Sequence, residues 1–214
     1  MSLSRRGILA VALPLAVIVT DQLIKFYVKT HFALHETLPV TDWFEIVFTE
    51  NRGMAFGMQI VGTLSLALFR IAAVAYFLLV LARAVKRRAP YGVVACIALV
   101  IAGAAGNIID NAFYGLVFTE STPFSAPATF VGFTGGGYGS LMTGRVVDMF
   151  YFPLFTWPSW VPFVGGNTFF GAIFNFADAA ISCGATALIV FYYRYLSRAG
   201  IFSLDFSKKR GSIN

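Results

Sequence analysis

Asp148 and Asp178 are the residues of this chain best placed to do chemistry. Asp148 closes the stretch Gly144-Arg145-Val146-Val147-Asp148, and Asp178 stands in Phe174-Asn175-Phe176-Ala177-Asp178-Ala179-Ala180-Ile181, at the head of a long apolar run. A carboxylate at membrane depth is costly, so each one marks a functional position. Two carboxyls that meet cannot both ionise easily. One keeps a proton while the other stays charged, the acid/base arrangement that lets paired aspartates activate water against a peptide bond.

The rest of the chain must bring these groups together, and its composition says in what medium. Of 214 residues, 58% are hydrophobic and 12% charged. Soluble domains carry roughly 25% charged residues, and the mean hydropathy here is +0.76. That excludes an ordinary water-soluble domain and predicts a polytopic membrane protein. The net charge of +6 reflects basic residues beside apolar segments, which sets membrane orientation rather than nucleic-acid binding.

Four stretches are long enough to cross a hydrocarbon core of ~30 Å, which takes about 20 helical residues: about 7–27, 61–82, 91–109 and 171–195. The expected fold is all-α, four transmembrane helices forming a single membrane domain over 1–214, with a small extracytoplasmic β-containing loop region. The first run follows Arg5 and Arg6 but continues through Asp21 and Lys25 with no Ala-x-Ala-like site, so an uncleaved helix is expected rather than a signal peptide.

Arg5 and Arg6, then Arg83, Lys86, Arg87 and Arg88, then Arg194, Arg198, Lys208, Lys209 and Arg210 all fall on one side of such a bundle. The loops from about 28 to 60 and 112 to 170 carry mostly acids. The positive-inside rule then places both termini in the cytoplasm and these two loops outside. Within them, Phe44, Ile46 and Phe48 alternate with Glu45, Val47 and Thr49, a strand signature. Residues 120–143, rich in Ser, Thr, Pro and Gly, predict an irregular or hairpin-like insertion. Trp157 and Trp160 suit interfacial anchors.

Polar residues gather at the outer ends of the helices. Asp21 and Lys25 are spaced i,i+4 with the acid first, the favourable order for an ion pair that anchors a helix end at the interface. Asn107 and Asp110 share a face, as do Asn175 and Asp178, and Asn51 precedes the second helix. The lone thiols Cys96 and Cys183 read as packing residues. His31 and His35 lack further ligands for zinc and read as surface residues, so no metal is expected.

Five blocks in order resemble those of the lipoprotein signal peptidase (signal peptidase II) family. Asp21-Gln22-Leu23-Ile24-Lys25 is similar to D-Q-x-x-K. Asn51-Arg52-Gly53-Met54-Ala55-Phe56-Gly57 resembles N-x-G-A-A-F-G/S. Residues Gly103 to Asp110 resemble G-x-x-G-N-x-x-D, Val146-Val147-Asp148-Met149 resembles V-V-D-F, and Phe174 to Ile181 resembles F-N-x-A-D-x-x-I. The resemblance implies an intramembrane aspartyl endopeptidase of the bacterial inner membrane, its active site near the outer face. Such an enzyme removes the signal peptide from prolipoproteins just before a diacylglyceryl-modified cysteine. It implies Asp148 and Asp178 as the catalytic pair, with Asp21, Lys25, Asn51, Gly53, Asn107, Asp110, Asn175 and Ala177 framing the site or contacting substrate. No cofactor and no nucleic-acid partner are expected, while membrane lipids are expected as partners and a monomer as the acting form.

Two departures stand out. The family usually has Arg after the aspartate of the third block, where this chain has Asn111, and Arg145 is a candidate replacement. A long Gly/Ser/Thr-rich stretch also separates Asp110 from Asp148. Two other classes compete: a small proton or cation transporter using Asp21, Asp110, Asp148 and Asp178, and a non-catalytic assembly protein. One-sided clustering of the polar groups, without an evident inverted repeat, weighs against the first, and the intact aspartate pair against the second.

Overall fold

Four long apolar helices carry the architecture: α1 (Arg5–His31), α2 (Thr63–Lys86), α3 (Tyr91–Ile109) and α5 (Phe176–Ala199). The computed structural model describes residues 4–51, 63–123 and 126–202, with the backbone alone at 63–67. Among these residues four helices are long and apolar enough to cross a membrane. The protein is a multi-pass membrane protein.

The helices are inside-out relative to a soluble bundle. On α1 the buried positions Gly7, Pro14, Val17, Asp21, Lys25 and Val28 recur every three, four or seven residues and so line one face. Ile8, Val11, Leu15, Val19 and Leu23 are more than half exposed, as are Phe191 and Tyr193 on α5. A protein in water would hide such side chains; in hydrocarbon they need no cover. Helix α3 is the exception, 61% buried over its most apolar stretch against 17–22% for the other three. It therefore forms the centre, packed against α1, α2 and α5.

With lipid outside, helices associate through close packing of small residues. Gly103 and Gly184 are where α3 and α5 touch. A methyl on Gly103 would lie 2.2 Å from the Ala177 carbonyl oxygen, and one on Gly184 would lie 2.6 Å from that of Cys96. Of the two thiols, Cys96 is buried as expected, whereas Cys183 on α5 is exposed.

At one end of the bundle lies a three-stranded antiparallel sheet in the order β1 (Thr37–Thr41), β2 (Phe44–Asn51), β3 (Val146–Tyr151). The alternation in β2 does mark a strand. Phe48 is wholly buried with Val28, Phe32, Tyr114, Phe118, Val147 and Met149. A bridge between Phe150 and Phe174 extends the sheet: Phe150 N donates to Phe174 O at 2.8 Å and Phe174 N to Phe150 O at 3.1 Å.

Four helix ends differ from the sequence reading by four or five residues; α2 runs to Lys86 instead of about 82 and α5 to Ala199 instead of about 195. Helix α1 runs on to His31 instead of ending near Tyr27, because Lys29 is pulled inward by Glu50 and Ser121. Helix α5 starts at Phe176 rather than near Gly171, since Phe174 is committed to β3 and Asn175 caps the helix, accepting from Asp178 N at 2.8 Å. The expected start of the second helix at 61 lies outside the described residues.

Helix α3 does not stop at Ile109. It widens into a π turn (Asp110–Tyr114) and closes with a short helix α4 (Gly115–Val117). The stretch after it is packed against the body. Thr119 N donates to Thr129 O at 3.0 Å, Val131 N to Val117 O at 2.8 Å, and Tyr138 N to Phe118 O at 2.9 Å. A two-stranded ribbon, β4 (Phe155–Thr156) with β5 (Thr168–Phe169), stacks Phe155 on Phe169 and leaves Trp160 exposed.

The α3–α5 contact yields a first prediction. Gly103→Ala forces its methyl against backbone, and overpacking of this kind costs about 1–3 kcal/mol. The variant should melt at lower temperature in detergent and lose activity, because the displaced backbone is that of Ala177, next to Asp178. An unchanged melting curve would contradict the close approach.

Candidate active site

The predicted polar residues within the described part stand at the end of the bundle that carries the sheet, delivered by several elements. Helix α1 supplies Asp21 and Lys25 from its buried stripe, and α3 supplies Asn107 and, at its π turn, Asp110. Strand β3 supplies Asp148, and the first turn of α5 with its cap supplies Asn175, Ala177 and Asp178. Asn51 ends β2 opposite Val146, on the strand whose Thr49 faces Asp148. Gly53 lies outside the described residues.

Lys25 is the hub. Its Nζ is 3.0 Å from Asp21 Oδ2 and 2.7 Å from Asp110 Oδ2, and it donates to Asn107 Oδ1 at 2.9 Å, with all four side chains buried. The pair Asp21–Lys25 is therefore not the interfacial anchor that its spacing suggested; it is the interior of the bundle. Both acids have further donors. Ala177 N donates to Asp21 Oδ1 at 2.9 Å, and Val147 N points at Asp110 Oδ2 from 3.3 Å.

From Lys25 the hydrogen bonds run outward to the aspartate pair. An ammonium can only donate, so it fixes the Asn107 amide with its oxygen toward Lys25 and its nitrogen away. Asn107 Nδ2 then donates to Asp178 Oδ1 at 2.8 Å. Asn175 Nδ2 donates to Asp148 Oδ1 at 2.6 Å and to Asn107 Oδ1 at 3.2 Å, while its own oxygen takes Asp178 N. One asparagine thus caps α5 and ties both aspartates together.

The two aspartates have different surroundings. Asp148 is 6% exposed. Burial, and then the charge of Asp178, push its carboxyl up to about 7. Asp178 is partly exposed and opens on a cavity of about 340 Å³ lined by Phe170, Phe174, Ala179, Ser182 and Cys183. Such a site has an apolar wall for a hydrophobic chain and a proton-holding carboxyl behind a more accessible one.

Arg145 does not replace the missing arginine beside Asp110. Its Nη1 is 3.1 Å from Glu50 Oε2 and its Nη2 2.8 Å from Glu120 Oε1. Glu50 also holds Lys29, which Ser121 and the rings of Phe48, Phe118 and Tyr138 enclose. That second polar cluster pins the long stretch before β3 to α1 and β2. Sequence reasoning missed it, although Lys29, two residues from the end of α1 and just after an apolar run, was a usable signal.

Sequence reasoning also passed over Gln22. Its Nε2 donates to Asp110 Oδ1 at 2.9 Å, with Asp21 Oδ2 at 3.1 Å and Gly106 O at 3.2 Å, and its Oε1 accepts from the Tyr114 hydroxyl at 3.2 Å. Arg70 was missed as well; its Nη1 donates to Asn111 Oδ1 at 2.8 Å.

A family description, Signal peptidase (SPase) II, matches residues 13–194. The chain belongs to the signal peptidase II family. A lipoprotein signal peptidase of Porphyromonas gingivalis is 45% identical over 197 residues, covering 90% of this chain and 86% of that one. One from Amoebophilus asiaticus is 30% identical over 186 residues, covering 82% and 74%. Among solved structures, a bacterial membrane enzyme at 2.3 Å resolution superposes with a TM-score of 0.58 at 20% identity, over 96% of this chain and 94% of that one. A second, at 1.9 Å, gives 0.54 at 22% identity, over 85% and 90%. These two support the fold. A signal peptidase II is a protease, and the transporter reading finds no support.

The Lys25 hub carries the second prediction. Lys25→Met leaves Asp21 and Asp110 buried without their cation, and breaking a buried pair from one side costs about 3–5 kcal/mol. The variant should be poorly folded in detergent, with a far larger fall in melting temperature than a lipid-facing change such as Leu23→Ala. Equal melting of the two would show that the hub is dispensable.

Proposed function

We propose that this signal peptidase cuts prolipoproteins with Asp148 and Asp178 as its catalytic pair. Removal of signal peptides from prolipoproteins is what the family membership supports; the tie made by Asn175 and Asn107 between the two carboxyls carries the assignment of the pair. In the resting state Asp148 holds the proton. Asp178 is the charged member, placed where the first turn of α5 favours negative charge and where the cavity admits substrate.

The steps follow from those states. Asp178 takes a proton from a water molecule, whose oxygen attacks the scissile carbonyl carbon. Asp148 gives its proton to the carbonyl oxygen, so the tetrahedral intermediate is a neutral diol. On collapse one diol hydroxyl returns its proton to Asp148, the C–N bond breaks as Asp178 gives its proton to the leaving nitrogen, and the pair is again left with a single proton. Asn107 and Asn175 keep the carboxyls in place, and Asp21, Lys25, Asn51, Gly53, Asp110 and Ala177 frame the site.

The scissile bond lies before a diacylglyceryl-modified cysteine. The distribution of basic residues supports both termini in the cytoplasm and the site at the outer face of the bacterial inner membrane. There the apolar helix of a signal peptide ends and the acyl chains remain in lipid. The whole chain acts as one membrane domain, as a monomer among membrane lipids.

Asp148→Asn and Asp178→Asn should each lower cleavage of a lipidated prolipoprotein by about 10³-fold or more without changing the melting curve, read by gel shift. Normal processing by either variant would sink the pair. The pH profile is a separate check. Asp148 must carry a proton, and its carboxyl is raised to about 7, so activity is present below that value and lost as pH rises through it. A rate independent of pH between about 6 and 9 would rule out Asp148 as the acid.

A further inference from the structure

Arg70 lies about two turns into α2, with its stem beside Phe69, Ala73 and Val74 in an apolar groove between α2, α3 and α5. An arginine at such depth normally stretches its guanidinium to water. Here the head turns inward. Nη1 donates to Asn111 Oδ1 at 2.8 Å, and Asn111 is fully buried in the π turn. Asn111 in turn holds Gly144 from both sides: Nδ2 donates to Gly144 O at 2.8 Å, and Gly144 N donates to Asn111 O at 2.9 Å. Gly144 has no room to move or grow, because a methyl there would lie 2.0 Å from Asp110 O. It opens the segment that leads, through β3, to Asp148.

The charges around the pair add a second reason for a cation. Asp21 and Lys25 face it from α1, Asp110 from the end of α3, Asp148 from β3 and Asp178 from α5. With one proton shared between Asp148 and Asp178, three negative charges stand against Lys25 alone among these groups. The Arg70 guanidinium is within electrostatic reach of Asp178, Asp110 and Asp148.

We propose that Arg70 is a positioning residue of the peptidase: through Asn111 it clamps Gly144 at the approach to β3, and its charge offsets the negative field on the aspartate pair. This inference rests on Asp148 and Asp178 being the catalytic pair.

The test uses the full-length protein in detergent with a lipidated prolipoprotein, reading kcat and KM across pH for Arg70→Gln, Arg70→Lys, Asn111→Ala and Asp148→Asn. Arg70→Gln should lower kcat about 10-fold with little change in KM, and move the alkaline limb of the profile up by about half a pH unit, since a lost cation favours the protonated carboxyl. Arg70→Lys should return the limb to its place while kcat stays reduced. Asn111→Ala should lower kcat without moving the limb. An Arg70→Gln variant with wild-type kcat and an unmoved limb overturns the proposal, as does an effect on KM alone. If Arg70→Gln does not fold, wild-type kcat in both Arg70→Lys and Asn111→Ala overturns it instead. Normal cleavage by Asp148→Asn would defeat the pair itself. An inactive Asp148→Asn beside a normal Arg70→Gln defeats only the role of Arg70.

Discussion

The contact of Lys25 with Asp21, Asp110 and Asn107 is the interaction on which the rest of the structure depends. In the interior of a membrane bundle no water is at hand to solvate a stray charge, so an ammonium there must have its carboxylates and they must have it. That requirement joins α1 to the end of α3. Through Ala177 N on Asp21 it also joins α1 to the first turn of α5. Since α3 is the central helix, one buried cation sets the depth at which three helices meet.

The same cation organises the chemistry without touching it. By facing Lys25 with its oxygen, Asn107 must face Asp178 with its nitrogen. Asn175 is constrained likewise: its oxygen caps α5 at Asp178 N, so its nitrogen is left for Asp148 and Asn107. Two asparagines convert a structural ion cluster into an oriented pair of carboxyls. Glutamines in their place would reach further and lose rotamer freedom, and aspartates could not donate at all.

A second constraint comes from the sheet. Strand β3 runs between β2 and the Phe174 bridge, so the strand that carries Asp148 is held by a backbone ladder on one side and by an isolated bridge at Phe150 on the other. Long connections on either side of β3 would make the position of Asp148 imprecise if they were loose. The Lys29–Glu50–Arg145 cluster and the Asn111–Gly144 clamp hold the connection that enters the strand. The aromatic contacts of Phe152, Phe170 and Phe174 hold the one that leaves it.

Much of this was legible in the sequence by itself. Apolar runs of spanning length reveal four helices because hydrocarbon thickness is a fixed ruler, and the period of two in Phe44-Glu45-Ile46-Val47-Phe48 reveals a strand. The residues of the site are marked because a carboxylate or amide in an apolar segment is too costly to be incidental. What only the tertiary structure decided is which partner each polar group takes. Asp21 and Lys25 looked like a local surface pair and are a buried junction of three elements. Arg145 looked like the neighbour of Asp110 and belongs to Glu50 and Glu120, while Arg70, from another helix, approaches Asn111. The reason is physical: spacing along one helix fixes the face on which a side chain stands, but long-range ion pairs and hydrogen bonds are chosen by how helices and strands pack, and that packing is a property of the whole chain.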